Sequence, residues 1–268
     1  MKKDINFIDT LEIKIRSEEE ILKERYDYYK NNPNEFSFWY PRIRNVKDFS
    51  IPKSWILKLN NETFKCFYKD GRLTDEENNL VKSTISEFIK DNNIQLPVFV
   101  KNGQFSNKFD FYTCGINESV EQICDNIHRI CYASICLGAS PSFEIVFREL
   151  IKTNTKYSMY RGMNLNIEYR AFVDFDKKEL LGIIDYWHKS IKNNIYDEKD
   201  REQFLLFKKD TEDKYKEYEV ILKDKLLKQI ENFNLKGKWS VDFLLDDNNN
   251  FHLIDMAIAE RSFGFNLL

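Results

Sequence analysis

Glycine is scarce in this sequence, with 8 residues in 268, about half the usual share of roughly 7%. The shortage excludes the two commonest glycine-rich phosphate cradles, since neither G-x-x-x-x-G-K-[ST] nor G-x-G-x-x-G occurs. Net charge is nearly absent as well. With 41 Lys and Arg against 44 Asp and Glu the formal charge is -3, which tells against a general nucleic-acid or anionic-membrane binder. No run approaches the roughly 18 consecutive apolar residues of a membrane span, and Met1, Lys2, Lys3 and Asp4 lead into no apolar stretch of a signal peptide. The cysteines, Cys66, Cys114, Cys124, Cys131 and Cys136, are odd in number and form no C-x-x-C. A cytoplasmic protein with reduced thiols is the expectation. His128, His188 and His252 stand at no metal-ligand spacing, and Ser142, Ser240 and Ser262 lie in no nucleophile elbow.

What is present is a good supply of core. Hydrophobic residues make up 42% and charged residues 32%, which suits one large or two small globular domains. Ser17 before Glu18, Glu19 and Glu20 marks a helix running to about Lys30. An aromatic cluster follows at Phe36, Phe38, Trp39 and Tyr40, either packed inside or presented to a protein partner. An extended segment near Trp55–Leu59 precedes a helix over Thr74–Lys90. Pro97–Lys101 reads as a buried strand, because Val98, Phe99 and Val100 run without a polar break. A helix over Ser119–Ser134 puts Cys124, Ile127 and Cys131 at helical spacing, where cysteine acts as a small hydrophobe.

Strands are then expected at Phe143–Ile151, Ile167–Phe175 and Leu180–Trp187, with Arg161 and Gly162 in a loop. Asp197–Phe233 is helical, as one helix or two. Trp239–Leu245 and Phe251–Ala257 form a hairpin across Asp246, Asp247, Asn248, Asn249 and Asn250. Mixed elements in this order predict an α+β architecture of two lobes, with antiparallel or mixed sheets and flanking helices. We place an N-terminal lobe at 1–95 and a core at 96–268, with the lobes interleaved.

The hairpin carries the most informative pair. Centred between Asn248 and Asn249, it sets Asp242 opposite Asp255 among apolar Val241, Phe243, Ile254 and Met256. Facing carboxylates in such a sheet repel, and Mg²⁺ relieves that cost while leaving positions for waters and phosphates. A register slipped by one residue would instead put the two on opposite faces. Phosphates need cations. Lys101 and Lys108 flank a loop with Gly103, Ser106 and Asn107 that folds back on a polyphosphate or stays solvated. Arg170 shares a strand face with Glu168. It either clamps phosphate oxygens in a fork or forms a surface pair with Glu168. Arg148 and Glu149, among Val146, Phe147, Leu150 and Ile151, read as a buried charge pair in need of partners.

Together these segments resemble the ATP-grasp superfamily: Phe99-Val100-Lys101 with Lys108, Phe147 to Ile151, Glu168 to Val173, and Asp242 with Leu253-Ile254-Asp255. More narrowly, the chain resembles the cell-division-cycle branch, assembly chaperones of a eukaryotic translation initiation factor. Phe38 to Pro41, Ile51-Pro52 and Gln95-Leu96-Pro97 add to the resemblance. It implies ATP between two α+β lobes, with Lys101 and Lys108 at the phosphates or the adenine edge and Ser106 among the cofactor-binding residues. Arg148, Glu149, Leu150 and Ile151 would form the strand along the adenine. Arg170 would meet the triphosphate, Glu168 would belong to the cofactor site, and Asp242 and Asp255 would hold Mg²⁺. One departure bears on the metal count: Ala257 stands where the family usually places Asn, with Glu260 nearby.

Most members activate a carboxylate as an acylphosphate for attack by an amine. The resemblance therefore implies a ligase-like enzyme in which Arg170 and Lys108 stabilise charge. Acceptor groups would come from Arg261 and Ser262, or from Tyr160 and Arg161. A nucleotide-binding assembly factor without turnover is the alternative, and a kinase the third. The acceptor itself, small molecule or protein, is not legible.

Overall fold

The computed structural model describes residues 17–29, 31–110 and 115–268; the first residues of the chain and Cys114 lie outside that range. Helix starts follow their caps. In α1 (Glu18–Tyr29) the Ser17 and Glu20 side chains each accept from the other's backbone N–H. A full capping box between Thr74 and Glu77 opens α4 (Asp75–Asp91). Ser119 caps α5 (Val120–Cys136) and Asp197 caps α6 (Glu198–Gln229). No glycine or proline interrupts α6, and it runs as one helix of 32 residues. Two short helices, α2 (Phe36–Trp39) and α3 (Asn61–Phe67), complete the set.

The strands form two antiparallel sheets. One is three-stranded, with β1 (Ser54–Lys58) and β2 (Val98–Asn102) on either side of β3 (Glu144–Glu149). Its strands come from both sides of residue 95, so the sheet is shared between the two regions expected from sequence. The other sheet has four strands in the order β7-β6-β8-β9: β6 (Ile167–Asp174), β7 (Glu179–Asp185), β8 (Lys238–Leu245) and β9 (Phe251–Ile258). A small ribbon, β4 (Ser158–Met159) with β5 (Met163–Asn164), flanks the expected loop at Arg161 and Gly162.

Each sheet has its own core. The three-stranded sheet packs Val100, Ile145 and Phe147 against α3, α4 and α5. Cys131 is part of that core, and burial pushes its thiol up to about 12. The four-stranded sheet turns Tyr169, Ala171, Val241 and Phe243 toward Phe204, Phe207, Leu222 and Leu226 of α6. Alternation sends the intervening residues to the opposite face, and there the two lobes meet. Segment 31–53 straps the lobes together. Phe36 N–H donates to Gly103 O at 3.1 Å on one side, and Ser50 N–H donates to Phe251 O at 2.9 Å on the other. Phe36 and Trp39 lie buried within this strap, so the aromatic cluster is core and offers no surface anchor.

Candidate functional site

The hairpin between β8 and β9 sets the floor of the site. Asp246 and Asn250 close a three-residue loop, with Asn249 at φ 62 and the Asp246 carboxylate accepting from Asn248 and Asn250 N–H. This loop is centred on Asn248 rather than between Asn248 and Asn249, and its register pairs Phe243 with Leu253. Carried on unbroken, that register would put Asp242 and Asp255 on opposite faces. A bulge at Ile254 absorbs one residue and restores the Asp242↔Asp255 pair. The expected juxtaposition is therefore present for a different reason. Arg170 on β6 pairs with Asp242 in turn, so Arg170, Asp242 and Asp255 form one row across three strands.

The repulsion between the two carboxylates is answered by side chains. Asp242 receives both arms of Arg170, Nε to Oδ1 at 2.7 Å and Nη2 to Oδ2 at 2.7 Å, the bidentate fork that guanidinium suits. Asp255 Oδ2 accepts from Lys101 Nζ at 2.8 Å, and its Oδ1 accepts from Met256 N–H at 3.1 Å. Lys101 is 1% exposed. Burial pulls its ammonium below the usual lysine range, with Asp255 opposing. Burial pushes the Asp255 carboxyl up, but Lys101 and Arg148 more than offset it and hold it low. Burial likewise works against the Arg170 charge, and Asp242 outweighs it.

Two sequence readings need correction here. Arg148 and Glu149 are not a buried pair: adjacent strand residues face opposite ways, and Glu149 is exposed while Arg148 is 8% exposed. Its Nε is buried without a hydrogen-bond partner, and the guanidinium stands 5.2 Å from the Phe36 ring centroid. Burial lowers its pKa, with Asp255 opposing. Nor do Glu168 and Arg170 form a surface pair. Glu168 is buried and accepts from Trp187 Nε1 at 3.1 Å, and burial raises its carboxyl.

At the β7 side Lys108 hydrogen-bonds the Tyr186 hydroxyl and lies 3.8 Å from the centroid of that ring. Burial works against its charge, but Tyr186 and Glu168 together hold the ammonium above the usual lysine range. Arg170 stacks over the same ring at 4.7 Å. Tyr186 thus joins two expected site residues, and sequence reasoning missed it. An aromatic pair, Tyr186-Trp187, directly after a strand was the available signal.

All eleven residues expected from sequence (Lys101, Ser106, Lys108, Arg148, Glu149, Leu150, Ile151, Glu168, Arg170, Asp242 and Asp255) line one cavity of about 900 Å³ between the two sheets. Leu150 and Ile151 belong to the strand exit that crosses from one lobe to the other. Of the acceptor candidates, Arg261 and Ser262 line the cavity, and Tyr160 and Arg161 do not. Ala257 lines it without a donor side chain, and Glu260 is exposed outside it. Six cationic and four acidic side chains line the cavity, a local surplus of positive charge in a chain of net -3.

The donor set fits a polyphosphate, because Arg148 is a buried cation whose Nε has no acceptor and Lys101 and Lys108 line the same space. Asp242 and Asp255 are two hard-oxygen ligands side by side, as Mg²⁺ takes them. Among the described residues no group of three or more His, Cys, Asp or Glu gathers as a complete metal cage, so phosphate oxygens or waters would complete such a site.

The loop carrying Ser106 and Lys108 is rooted on a buried carboxyl that sequence did not reveal. Glu35 accepts from Ser142 Oγ at 2.6 Å and from Gln104 Nε2 at 2.7 Å. A Cβ on Gly103 would fall 2.0 Å from Glu35 Oε2, so only glycine lets the strap and the loop approach this closely. Burial, then the neighbouring Glu144 carboxylate, pushes Glu35 up to about 8.

No protein-family profile and no curated protein matches the sequence. Solved structures do match. Cdc123 from Schizosaccharomyces pombe superposes with a TM-score of 0.54 at 18% identity, over 91% of this chain and 89% of that one. Its C-terminally truncated form gives the same values. VanG D-Ala:D-Ser ligase from Enterococcus faecalis reaches a TM-score of 0.41 at 11% identity, over 83% of this chain and 51% of that one, a looser likeness that carries no weight here. The two-lobed α+β architecture expected from sequence is thus shared with Cdc123, and the likeness is one of fold.

Proposed function

We propose that this chain binds ATP with Mg²⁺ between its lobes and acts as a ligase-like enzyme of ATP-grasp type, activating a carboxylate for attack by an amine. One observation carries the reading: four cations and two facing carboxylates, scattered from residue 101 to residue 255, converge on one cavity. Lys101, Lys108, Arg148 and Arg170 would hold the phosphates, with Ser106 in the loop above them. Glu168 orients Trp187 beside Lys108, and Glu149, Leu150 and Ile151 would line the base. Asp242 and Asp255 would hold the metal, with Ala257 leaving room for one ion rather than two. Bound ATP supplies the phosphoryl group that turns a carboxylate into an acylphosphate. Arg170 and Lys108 would stabilise the charge that develops, and such positioned charges are the main protein contribution to phosphoryl transfer. Arg261, exposed at the rim of the cavity, suits an anionic acceptor.

In this reading residues 96–268 form the nucleotide-binding core and residues 1–95 the N-terminal lobe, interleaved through β1. Four described cysteines are free, which accords with a cytoplasmic home, and no described helix is long and apolar enough to cross a membrane. A second reading, an assembly factor that holds ATP without turnover, draws on exposed Phe109 and Ile116 at the cavity mouth, an apolar lip for a protein partner.

Incubation with ATP and Mg²⁺ across carboxylate and amine pairs, with ADP and phosphate measured, tests the enzyme. Acceptor-dependent ADP release supports it; stoichiometric ATP retention without release selects the assembly factor. Asp242→Asn and Asp255→Asn should each weaken Mg·ATP binding in calorimetry. Unchanged affinity in both removes the metal from the site.

A further inference from the structure

Every carboxylate oxygen on the two proposed metal ligands is already engaged. Asp242 gives both oxygens to Arg170, and Asp255 gives one to Lys101 and one to Met256 N–H. A divalent cation arriving alone would have to crowd against or displace a bidentate guanidinium and an ammonium that is almost fully buried. Those displaced cations would remain in a cavity that already carries a positive surplus, now beside the metal's own charge, and like charges at short range in a partly dry site are costly. A polyphosphate meets the opposite situation. Arg148 lacks any acceptor for its buried Nε, and Arg170 and Lys101 can trade a carboxylate for a phosphate oxygen with little loss, because both contacts are charge-assisted.

We propose that the ligand-free cleft is an anion receptor: it binds a polyphosphate without metal, and Arg170 and Lys101 withhold Asp242 and Asp255 from a divalent cation until phosphate oxygens take their place. This deepens the nucleotide reading and rests on it for the identity of the ligand, but the charge arrangement itself needs only the triphosphate.

Calorimetry in EDTA with inorganic tripolyphosphate and with ATP separates the two ideas, and electron paramagnetic resonance reads Mn²⁺ binding without nucleotide. The native protein should bind both phosphates in EDTA and leave Mn²⁺ free at millimolar concentration. Arg170→Gln and Lys101→Gln should each lose tripolyphosphate affinity by about tenfold, as for one charge-assisted contact, while gaining Mn²⁺ binding by a similar factor. Mn²⁺ should then raise the melting temperature of these variants and not that of the native protein. Lys101→Gln frees an Asp255 whose side chain is 36% exposed, so it keeps the test open if Arg170→Gln does not fold. Native protein that takes Mn²⁺ alone as tightly as both variants, or that binds tripolyphosphate only with Mg²⁺, overturns the proposal. Tripolyphosphate bound as tightly as ATP would keep the anion receptor and sink the nucleotide reading. Binding of Mg·ATP with neither phosphate bound in EDTA would do the reverse.

Discussion

The two sheets face each other across the cleft with opposite arrangements of charge. On the four-stranded floor, one cation and two acids stand in one row, and Arg170 meets Asp242 within the same sheet. The three-stranded roof presents Lys101 and Arg148 on its cleft face; Glu144, the acid on that face, is taken by Lys58 and by Ser37 N–H at its far end. Of Lys101 and Arg148, Lys101 reaches an anion, and it does so by crossing to Asp255 on the floor. Asp242 is answered within the floor, Asp255 and Lys101 answer each other across the cleft, and the roof still leaves one guanidinium unanswered. A ligand bearing several negative charges completes the roof more than it completes the floor.

The largest expected effect breaks the floor. Asp242→Asn leaves the Arg170 guanidinium largely buried against a neutral amide, and removing one partner of such a pair costs about 3–5 kcal/mol. Urea unfolding should show this loss, and a change of less than about 1 kcal/mol would place the pair among weak surface contacts. On the roof, Lys101→Ala should weaken ATP binding by about 10- to 100-fold, the worth of a charge-assisted hydrogen bond. Lys189→Ala, on an exposed residue away from the cavity, should leave affinity unchanged. Equal behaviour of the two in calorimetry would mean that the roof lysine has no part in the site.

The strap beside the roof differs from the floor in how its buried acid is kept. Asp242 is held by a cation, whereas Glu35, 2% exposed, is held up to about 8 by burial first and Glu144 second. A carboxyl raised in the folded state contributes stability that is complete below its unfolded pKa of 4.5. That contribution is lost as pH climbs toward about 8, at about 1.4 kcal/mol per pH unit. Glu35→Gln should flatten this part of the stability–pH curve. An unchanged slope between pH 6 and pH 7, at about 1.4 kcal/mol, would show that another group is responsible.

Much of the floor was legible because its signals are local. The hairpin announced itself by its Asp and Asn run, and alternation placed Glu168 and Arg170 on one strand face. The route to the Asp242–Asp255 pair was not legible, since a bulge at Ile254 leaves no mark in composition. Alternation alone should have separated Arg148 from Glu149, and the reading of a buried pair overlooked it. Glu35 and Tyr186 lay beyond sequence reasoning for a different reason. Glu35 meets Ser142 at a separation of 107 residues and Lys108 meets Tyr186 at 78, contacts that exist only once the strap and the loop are folded onto the sheets. The caps at Ser17, Thr74, Ser119 and Asp197 were readable because both partners lie within one turn.

The smallest effect is the most discriminating, because its two readouts have opposite signs. Arg148→Met keeps most of the side-chain volume, removes a buried charge whose Nε has no partner, and leaves the Phe36 and Phe99 rings an apolar neighbour. Replacing an uncompensated buried charge by a hydrophobe is neutral or stabilising, and a gain of about 1 kcal/mol is expected. The same substitution deletes the roof's unanswered cation, so tripolyphosphate affinity should fall by about tenfold. Arg170→Met, by contrast, should lose both stability and affinity, since its partner Asp242 would be left buried and unpaired. If Arg148→Met destabilises the protein as much as Arg170→Met does, then Arg148 is held by contacts within the lobe, and the contrast between a paired floor guanidinium and an unanswered roof guanidinium fails.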